Sequence, residues 1–286
     1  MPFNFPEKVS LADEEFRLLS TFIYEYCGLY FDEANRFLLE SRLQNRLRTY
    51  HFDSFLKYYH FLLFHQDRVQ EINELLNVIT TNETYFFREQ NQLDAFADEV
   101  LPDIAQKKAR GKQIRIWSAG CATGEEPYTI AILIKESGLF EGWNVDIIGT
   151  DISRQVLKSA RKAEYSPSSF RTTDASRIKR YFKASENGKQ ILIDPIRTMV
   201  HFGHHNLLDK KTLGLIGERD LIMCRNVIIY FDRDAKAKVI NAFHRKLCPG
   251  GYLLLGHSES LMNISTAFKL RHLSRVMVYQ KPGDIG

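Results

Sequence analysis

The chain has 286 residues, room for one large domain or two modest ones and for a sizeable buried core. Its 39 basic and 35 acidic residues leave a net charge of +4, too mild to demand a nucleic-acid partner. No apolar run approaches membrane-spanning length, and the N-terminal stretch MPFNFPEKVS carries no signal pattern. Cys27, Cys121, Cys224 and Cys248 form no CxxC pair, so a reduced, cytosolic protein is expected, with no membrane insertion.

Residues 10 to about 80 read as four short helices that would pack as a small bundle. Ser10 is the expected cap of the first, whose apolar positions Phe16, Leu19, Phe22, Ile23 and Tyr26 fall at helical spacing before Gly28. Asp32 is the expected cap of the second, with Leu39, Leu43 and Leu47 at steps of four. Ser54 to His65 and Asp67 to Ile79 supply the third and fourth. The second helix also carries Arg36, Arg42, Arg46 and Arg48. Arg42 and Arg46 lie one turn apart, and the charge pattern by itself reads as a solvated flank.

After about residue 95 strands and helices alternate. The predicted strands are Gln113–Ser118, Asn144–Gly149, Met199–His204, Asp220–Cys224 and Tyr252–Gly256, closed by a hairpin of Phe268–Leu273 and Val276–Gln280. That pattern implies a doubly wound α/β sheet of seven strands, one of them antiparallel. Between Tyr181 and His201 the chain is turn-rich, which predicts a small antiparallel excursion with strands near Gln190–Ile193 and Met199–Phe202. Ser185-Glu186-Asn187-Gly188 reads as a plain hairpin turn.

The most informative stretch is Ser118-Ala119-Gly120-Cys121-Ala122-Thr123-Gly124-Glu125-Glu126-Pro127-Tyr128, a glycine-bearing turn between the first strand and a helix. Such turns let a backbone approach a nucleotide-like ligand and offer it free N–H groups. Two consecutive carboxylates stand where a phosphate would have to sit, which argues against ATP or NAD. They suit a ligand joining an adenosine to a positive charge, as S-adenosylmethionine does. Asp151, at the end of the second strand, is placed to accept both ribose hydroxyls, although an Asp there can also cap the next helix. His201, His204 and His205 invite a metal reading, but neighbouring strand residues face opposite ways and no ligand set completes a site.

Taken together, four motifs resemble those of the chemotaxis receptor methyltransferases, the CheR family. They are Thr80-Thr81-Asn82-Glu83-Thr84-Tyr85-Phe86-Phe87-Arg88-Glu89, the loop at 120–128, Ile222-Met223-Cys224-Arg225-Asn226-Val227-Ile228-Ile229-Tyr230-Phe231, and Gly256-His257-Ser258-Glu259. The resemblance runs from about residue 10 to 281. It implies a helical bundle followed by a Rossmann-like class I methyltransferase domain with an inserted β-subdomain. The expected division is a substrate-docking domain over 1–79, a linker over 80–94 and a methyltransferase domain over 95–286, with the subdomain at 183–203. By motif, the implied contacts to S-adenosylmethionine, or to its product S-adenosylhomocysteine, are Asn82, Thr84, Arg88, Glu125, Asp151, Asn206, Leu207, Arg225 and Asn226. Arg88 and Tyr230 would face the methyl and the acceptor. The implied reaction gives glutamyl methyl esters on chemoreceptor cytoplasmic helices, with Arg36, Arg42 and Arg46 as docking groups for those acidic helices. A monomer is expected.

The chemistry suits such residues. A glutamate is ionised at pH 7, so its oxygen can displace a sulfonium-bound methyl without a general base. Holding the two groups in line is worth roughly 7–11 kcal/mol. Arg88 and Tyr230 could orient a carboxylate without quenching it. Other readings are a methyltransferase on another protein, RNA or a small molecule, or a silent S-adenosylmethionine-binding adaptor. Arg225-Asn226-Val227-Ile228 lacks the proline pair of amine-directed base methyltransferases, and intact Arg88 and Tyr230 argue against the adaptor. The short, single-glycine stretch Lys183 to Gln190 predicts independence from a receptor C-terminal peptide.

Overall fold

The computed structural model describes residues 8–283. They divide into two compact units. One holds the described residues through Thr81 together with Tyr230–Asp232; the other holds Asn82–Ile229 and the described residues from Arg233 onward.

In the helical unit α1 spans Asp13–Cys27, capped at Ala12 rather than at the expected Ser10. Ala12 has no capping side chain, so Glu15 turns back to accept the Ala12 N–H at 3.0 Å. Asp13, Glu14 and Glu15 all lie in the first turn, where the helix dipole favours negative charge. Gly28 ends the helix in a left-handed conformation, φ 78°, open to glycine at little cost. Asp32 caps a short 3-10 turn, Glu33–Asn35, and α2 (Arg36–Thr49) follows it. Ser54 caps α3 (Phe55–Phe64), accepting the Lys57 N–H, and α4 runs Arg68–Ile79. The apolar stripes Leu19/Ile23, Leu39/Leu43/Leu47, Phe55/Tyr58/Leu62 and Leu75/Leu76/Ile79 form this unit's core. Tyr230–Asp232 completes it. The Tyr30 N–H donates to the Tyr230 carbonyl at 3.0 Å, Leu29 and Phe231 form an antiparallel bridge, and the Tyr24 hydroxyl donates to Asp232 at 3.0 Å.

The second unit opens with α5 (Gln90–Ala95), a π-helical turn at Phe96–Val100 and α6 (Leu101–Lys108), an unbroken helical run that the sequence reading did not foresee. Pro102 argues for a break, because it cannot donate to the helical ladder; the wider turn just upstream accommodates it. There follow β1 (Gln113–Ala119), α7 (Glu125–Ser137), β2 (Asn144–Asp151), α8 (Arg154–Lys162), β3 (Glu164–Tyr165), α9 (Ala175–Tyr181), β4 (Phe182–Ala184), β5 (Gln190–Leu192) and α10 (Asp194–Arg197). The chain closes with β6 (Val200–His204), α11 (Lys210–Leu213), β7 (Arg219–Cys224), α12 (Arg233–Lys246), β8 (Leu247–Leu255), β9 (Lys269–His272) and β10 (Met277–Gln280). The seven-stranded sheet has the order β6-β2-β1-β7-β8-β10-β9, and β10 alone runs antiparallel to β8.

The small sheet differs from expectation. Its order is β3-β5-β4, so its strands lie within 164–192 instead of 183–203. Met199–Phe202, also expected near this excursion, takes no part in it: Val200–His204 is the edge of the main sheet, parallel to β2, as its place among the seven predicted strands requires. The turn at Ser185–Gly188 is as expected, with the Gly188 N–H donating to the Ser185 carbonyl at 3.1 Å. Phe86 and Phe87 are fully buried. Phe86 stacks on Phe170 at 5.2 Å and meets Tyr165 and Phe182 edge-on, so the motif segment is anchored by aromatic packing against the small sheet. Among the described residues no helix is long and apolar enough to cross a membrane.

Candidate active site

The strand order reverses at β1, with β2 and β6 on one side and β7 and β8 on the other. The carboxyl ends of β1, β2 and β7 therefore border the crevice where doubly wound sheets hold ligands. Gly120 is left-handed, φ 79°, and a Cβ there would stand 2.4 Å from Val227. Only glycine lets the β1 loop lie this close to the β7 loop. Gly124, φ 94°, begins α7 against Ala160, Phe202 and Tyr165.

Asp151 ends β2 at 7% exposure. Its carboxylate accepts the Ala122 N–H and the Ser153 N–H, each at 2.9 Å. Burial raises its pKa, while those N–H groups pull the other way. Each oxygen keeps a lone pair for a further donor. The Asp151 carbonyl accepts the His205 N–H at 3.0 Å, which sets Asn206 and Leu207 next to β2. Asn206 turns its side-chain oxygen to the Leu208 N–H at 3.0 Å.

The two carboxylates of the glycine loop have different surroundings. Glu125 is 2% exposed and accepts from Thr123 at 2.6 Å and Ser169 at 3.0 Å; burial raises its pKa. Glu126 accepts from Ser118 at 2.7 Å and from Arg225 at 3.3 Å; burial raises its pKa too, against the pull of Arg225. Arg225 also lies 3.3 Å from Glu89 and donates to the Arg88 carbonyl. For Glu89 burial is opposed by Arg225 and His257, and the net shift is downward. One buried guanidinium thus faces two carboxylates, leaving an excess of negative charge beside the glycine loop. Arg225, expected against the cofactor, has its two terminal nitrogens committed to protein partners.

Asn82, Thr84 and Arg88 lie on the segment before α5. Arg88 is bracketed by Phe87 and Glu89, both left-handed, with φ 58° and 60°. Strain of this kind, of order 1–3 kcal/mol per residue, gathers at functional sites. The Arg88 guanidinium donates to the Glu83 carbonyl at 2.9 Å and lies over the Tyr85 ring. Tyr230 belongs to the helical unit, 37% exposed. Asn226 is left-handed, φ 59°, and its buried Oδ1 has no hydrogen-bond partner. An unmet acceptor beside an acidic loop fits a ligand ammonium.

The docking arginines are placed otherwise than expected. Arg46 holds Glu71, wholly buried, through two charge-assisted hydrogen bonds. Arg42 donates to the Ile79 carbonyl and to Thr81 at 3.0 Å, closing the end of α4. Arg36 bonds Asp13 at 2.6 Å and the Leu11 carbonyl. All three build the helical unit instead of forming a free basic face. Among the described residues no cluster of His, Cys, Asp and Glu could hold a metal ion.

Glu259 is the residue that the sequence reading passed over, though it stands in a quoted motif. Its carboxylate accepts the N–H groups of Asn226, Val227, Ile229 and Gly256 at 2.7–3.2 Å. A glutamate two residues past a His in a glycine turn gives no sign by itself that it will gather backbone donors from another loop.

Residues 82–277 match the model of the CheR methyltransferase, SAM binding domain, and residues 14–80 match the CheR methyltransferase, all-alpha domain. The chain is 35% identical over 276 residues to chemotaxis protein methyltransferase 2 of Vibrio cholerae, covering 96% of this chain and 95% of that one. It is 36% identical over 262 residues to the chemotaxis protein methyltransferase of Borreliella burgdorferi, covering 90% and 92%. Against the enzyme of that description from Salmonella typhimurium it is 33% identical over 270 residues, covering 93% and 90%.

Proposed function

The chain belongs to the CheR family of S-adenosylmethionine-dependent protein-glutamate O-methyltransferases, and we propose from that premise which residues carry the transfer and how the receptor is met. Asp151 is the observation that carries the reading: a buried carboxylate at the end of β2, fixed by two backbone N–H groups beside the glycine loop. It holds the ribose diol. Asn206 and Leu207 flank the adenine side, and Asn226 accepts from the ammonium. Glu125 and Glu126 supply the negative field that a sulfonium prefers.

When bound, the cofactor supplies an electrophilic methyl on sulfur. A substrate glutamate oxygen held in line would accept that methyl, with the electron pair of the carbon–sulfur bond left on sulfur, so the residues here need only hold and orient the two groups. No proton moves. Arg88 and Tyr230 orient the incoming carboxylate, and Asn82 and Thr84 shape the segment that presents Arg88.

The acceptor is a glutamate on the cytoplasmic helices of a chemoreceptor, engaged through the helical unit. Docking does not require a receptor C-terminal peptide, because the Ser185–Lys189 turn is tight and offers a single glycine. The test is methyl transfer from labelled S-adenosylmethionine to a receptor cytoplasmic fragment, with label released by mild alkali as an ester requires. Alkali-stable label, or no transfer, would overturn the glutamate assignment. Micromolar binding of the terminal peptide would overturn the tether-free docking.

A further inference from the structure

The loop after β7 poses a mechanical problem. Arg225 must reach Glu89, Glu126 and the Arg88 carbonyl, and Asn226 must hold its side chain inward from a left-handed backbone. A loop leaving a parallel strand has no ladder to satisfy its N–H groups, and groups left unpaired there would favour other conformations. Four such N–H groups, from two separate loops, end on one side chain.

We propose that Glu259 is the positioning residue of the methyl-transfer site, its carboxylate acting as the clasp that fixes the Arg225–Ile229 loop. Oε2 takes the Asn226 N–H at 2.9 Å and the Gly256 N–H at 2.7 Å; Oε1 takes the Val227 N–H at 3.0 Å and the Ile229 N–H at 3.2 Å. Each oxygen is thus filled by two donors, which is the full capacity of an ionised carboxylate. The surroundings are built for it. A Cβ at Gly256 would stand 2.9 Å from both the Asn226 nitrogen and the Glu259 Oε2, so the turn must carry glycine. Charge-assisted bonds of this kind are about twice as strong as neutral ones. The clasp ends at Ile229, the residue before Tyr230, so it fixes the loop from Asn226 up to the acceptor-side tyrosine.

Glutamine shows why the charge matters. Whichever way its amide is turned, an NH2 group faces two backbone N–H donors, so one pair of bonds becomes a repulsion. The size of the side chain is kept and only the clasp is lost.

This inference rests on the methyltransferase reading of the same loop, and the experiment separates the two. Amide hydrogen exchange in the full chain tests the clasp without any assay of activity. In Glu259→Gln the amides of Asn226, Val227, Ile229 and Gly256 should exchange at least tenfold faster, while those of β1 and β2 stay protected. Turnover per titrated cofactor site should fall at least tenfold, with the KM for the receptor fragment changed less than twofold. Ile130→Val, a buried change in α7, supplies the comparison for plain loss of stability. A structural role alone would place both variants on one line of turnover against melting temperature. Unchanged exchange at the four amides overturns the clasp; faster exchange with turnover within twofold of wild type overturns its part in the reaction. A wild-type protein that transfers no methyl to receptor glutamates would sink the functional reading and leave the exchange result standing.

Discussion

Replacing Arg46 by Ala should destabilise the helical unit and not merely its grip on a partner. Glu71 lies in the core of that unit with no exposed surface. Its carboxylate accepts two hydrogen bonds from Arg46, one from Tyr50 at 2.8 Å and one from Tyr58 at 2.7 Å. Removing the guanidinium leaves a buried carboxylate with two phenols and no countercharge. Breaking a buried pair in this way costs about 3–5 kcal/mol. Arg46→Lys should recover only part of this, because an ammonium cannot make the side-by-side pair of bonds. Replacing both partners, as in Arg46→Met with Glu71→Leu, should recover only part of it: no charge is left stranded, but the Tyr50 hydroxyl and the buried Tyr58 hydroxyl lose their acceptor. Urea unfolding followed by hydrogen exchange of α2 and α4 amides in the full chain measures each step. A loss under about 1 kcal/mol for Arg46→Ala, combined with weakened receptor affinity, would refute the structural role and restore the docking role that the family resemblance implied.

Three further outcomes follow from the site. Asp151→Ala should weaken cofactor binding by at least about 2 kcal/mol, because two hydrogen bonds to a charged acceptor disappear; unchanged affinity by calorimetry would remove Asp151 from the site. Arg88→Ala and Tyr230→Phe should lower turnover more than they lower cofactor affinity, as expected for contacts made mainly in the transition state; wild-type turnover of Tyr230→Phe at saturating cofactor would end its orienting role. His205, buried against Trp117 and bonded to Thr212, has its pKa pushed down to about 4, chiefly by burial. Between the ordinary value near 6.5 and about pH 4 the unfolded chain takes up a proton that the folded state refuses, so this contribution to stability is lost as pH falls, by about 3 kcal/mol in full. His205→Asn should flatten the pH dependence of stability by about that much between pH 7 and 4.5, and equal slopes in the two proteins would exclude it.

What could be read from the sequence was whatever depends on neighbours along the chain. Leu39, Leu43 and Leu47 at steps of four mark a helix whatever it packs against, and the alternation of strand and helix gave the seven-stranded sheet. The apolar runs before them put the glycine loop and Asp151 at the ends of the first and second strands, which are neighbours in the sheet. Readings failed where the answer lay in tertiary partners. Arg42 and Arg46 looked like a solvated pair because nothing in their spacing reveals a carboxylate on α4 or the open carbonyl at its end. Met199–His204 is legible as a main-sheet strand, but its first residues also fit the antiparallel excursion, because an isolated strand does not state its pairing. Glu259 stayed without a role because its four donors come from 226–229 and 256, and no periodicity links them.

The three residues Tyr230–Asp232 bear on how the protein is made. Most of the helical unit is synthesised before the other unit, yet Leu29 meets Phe231, and the Tyr24 hydroxyl meets Asp232, only after a segment about 200 residues further along the chain has been made. At translation rates of roughly 5–20 residues per second that is a delay on the order of ten seconds or more. During it the α1–α2 connection waits for its bridge to Phe231 and for the Tyr230 carbonyl that takes the Tyr30 N–H, and a fragment ending at Thr81 would never gain them. Most of the helical unit thus precedes the other unit along the chain, yet it is completed by three residues from within that later stretch, and no single cut in the polypeptide yields it whole.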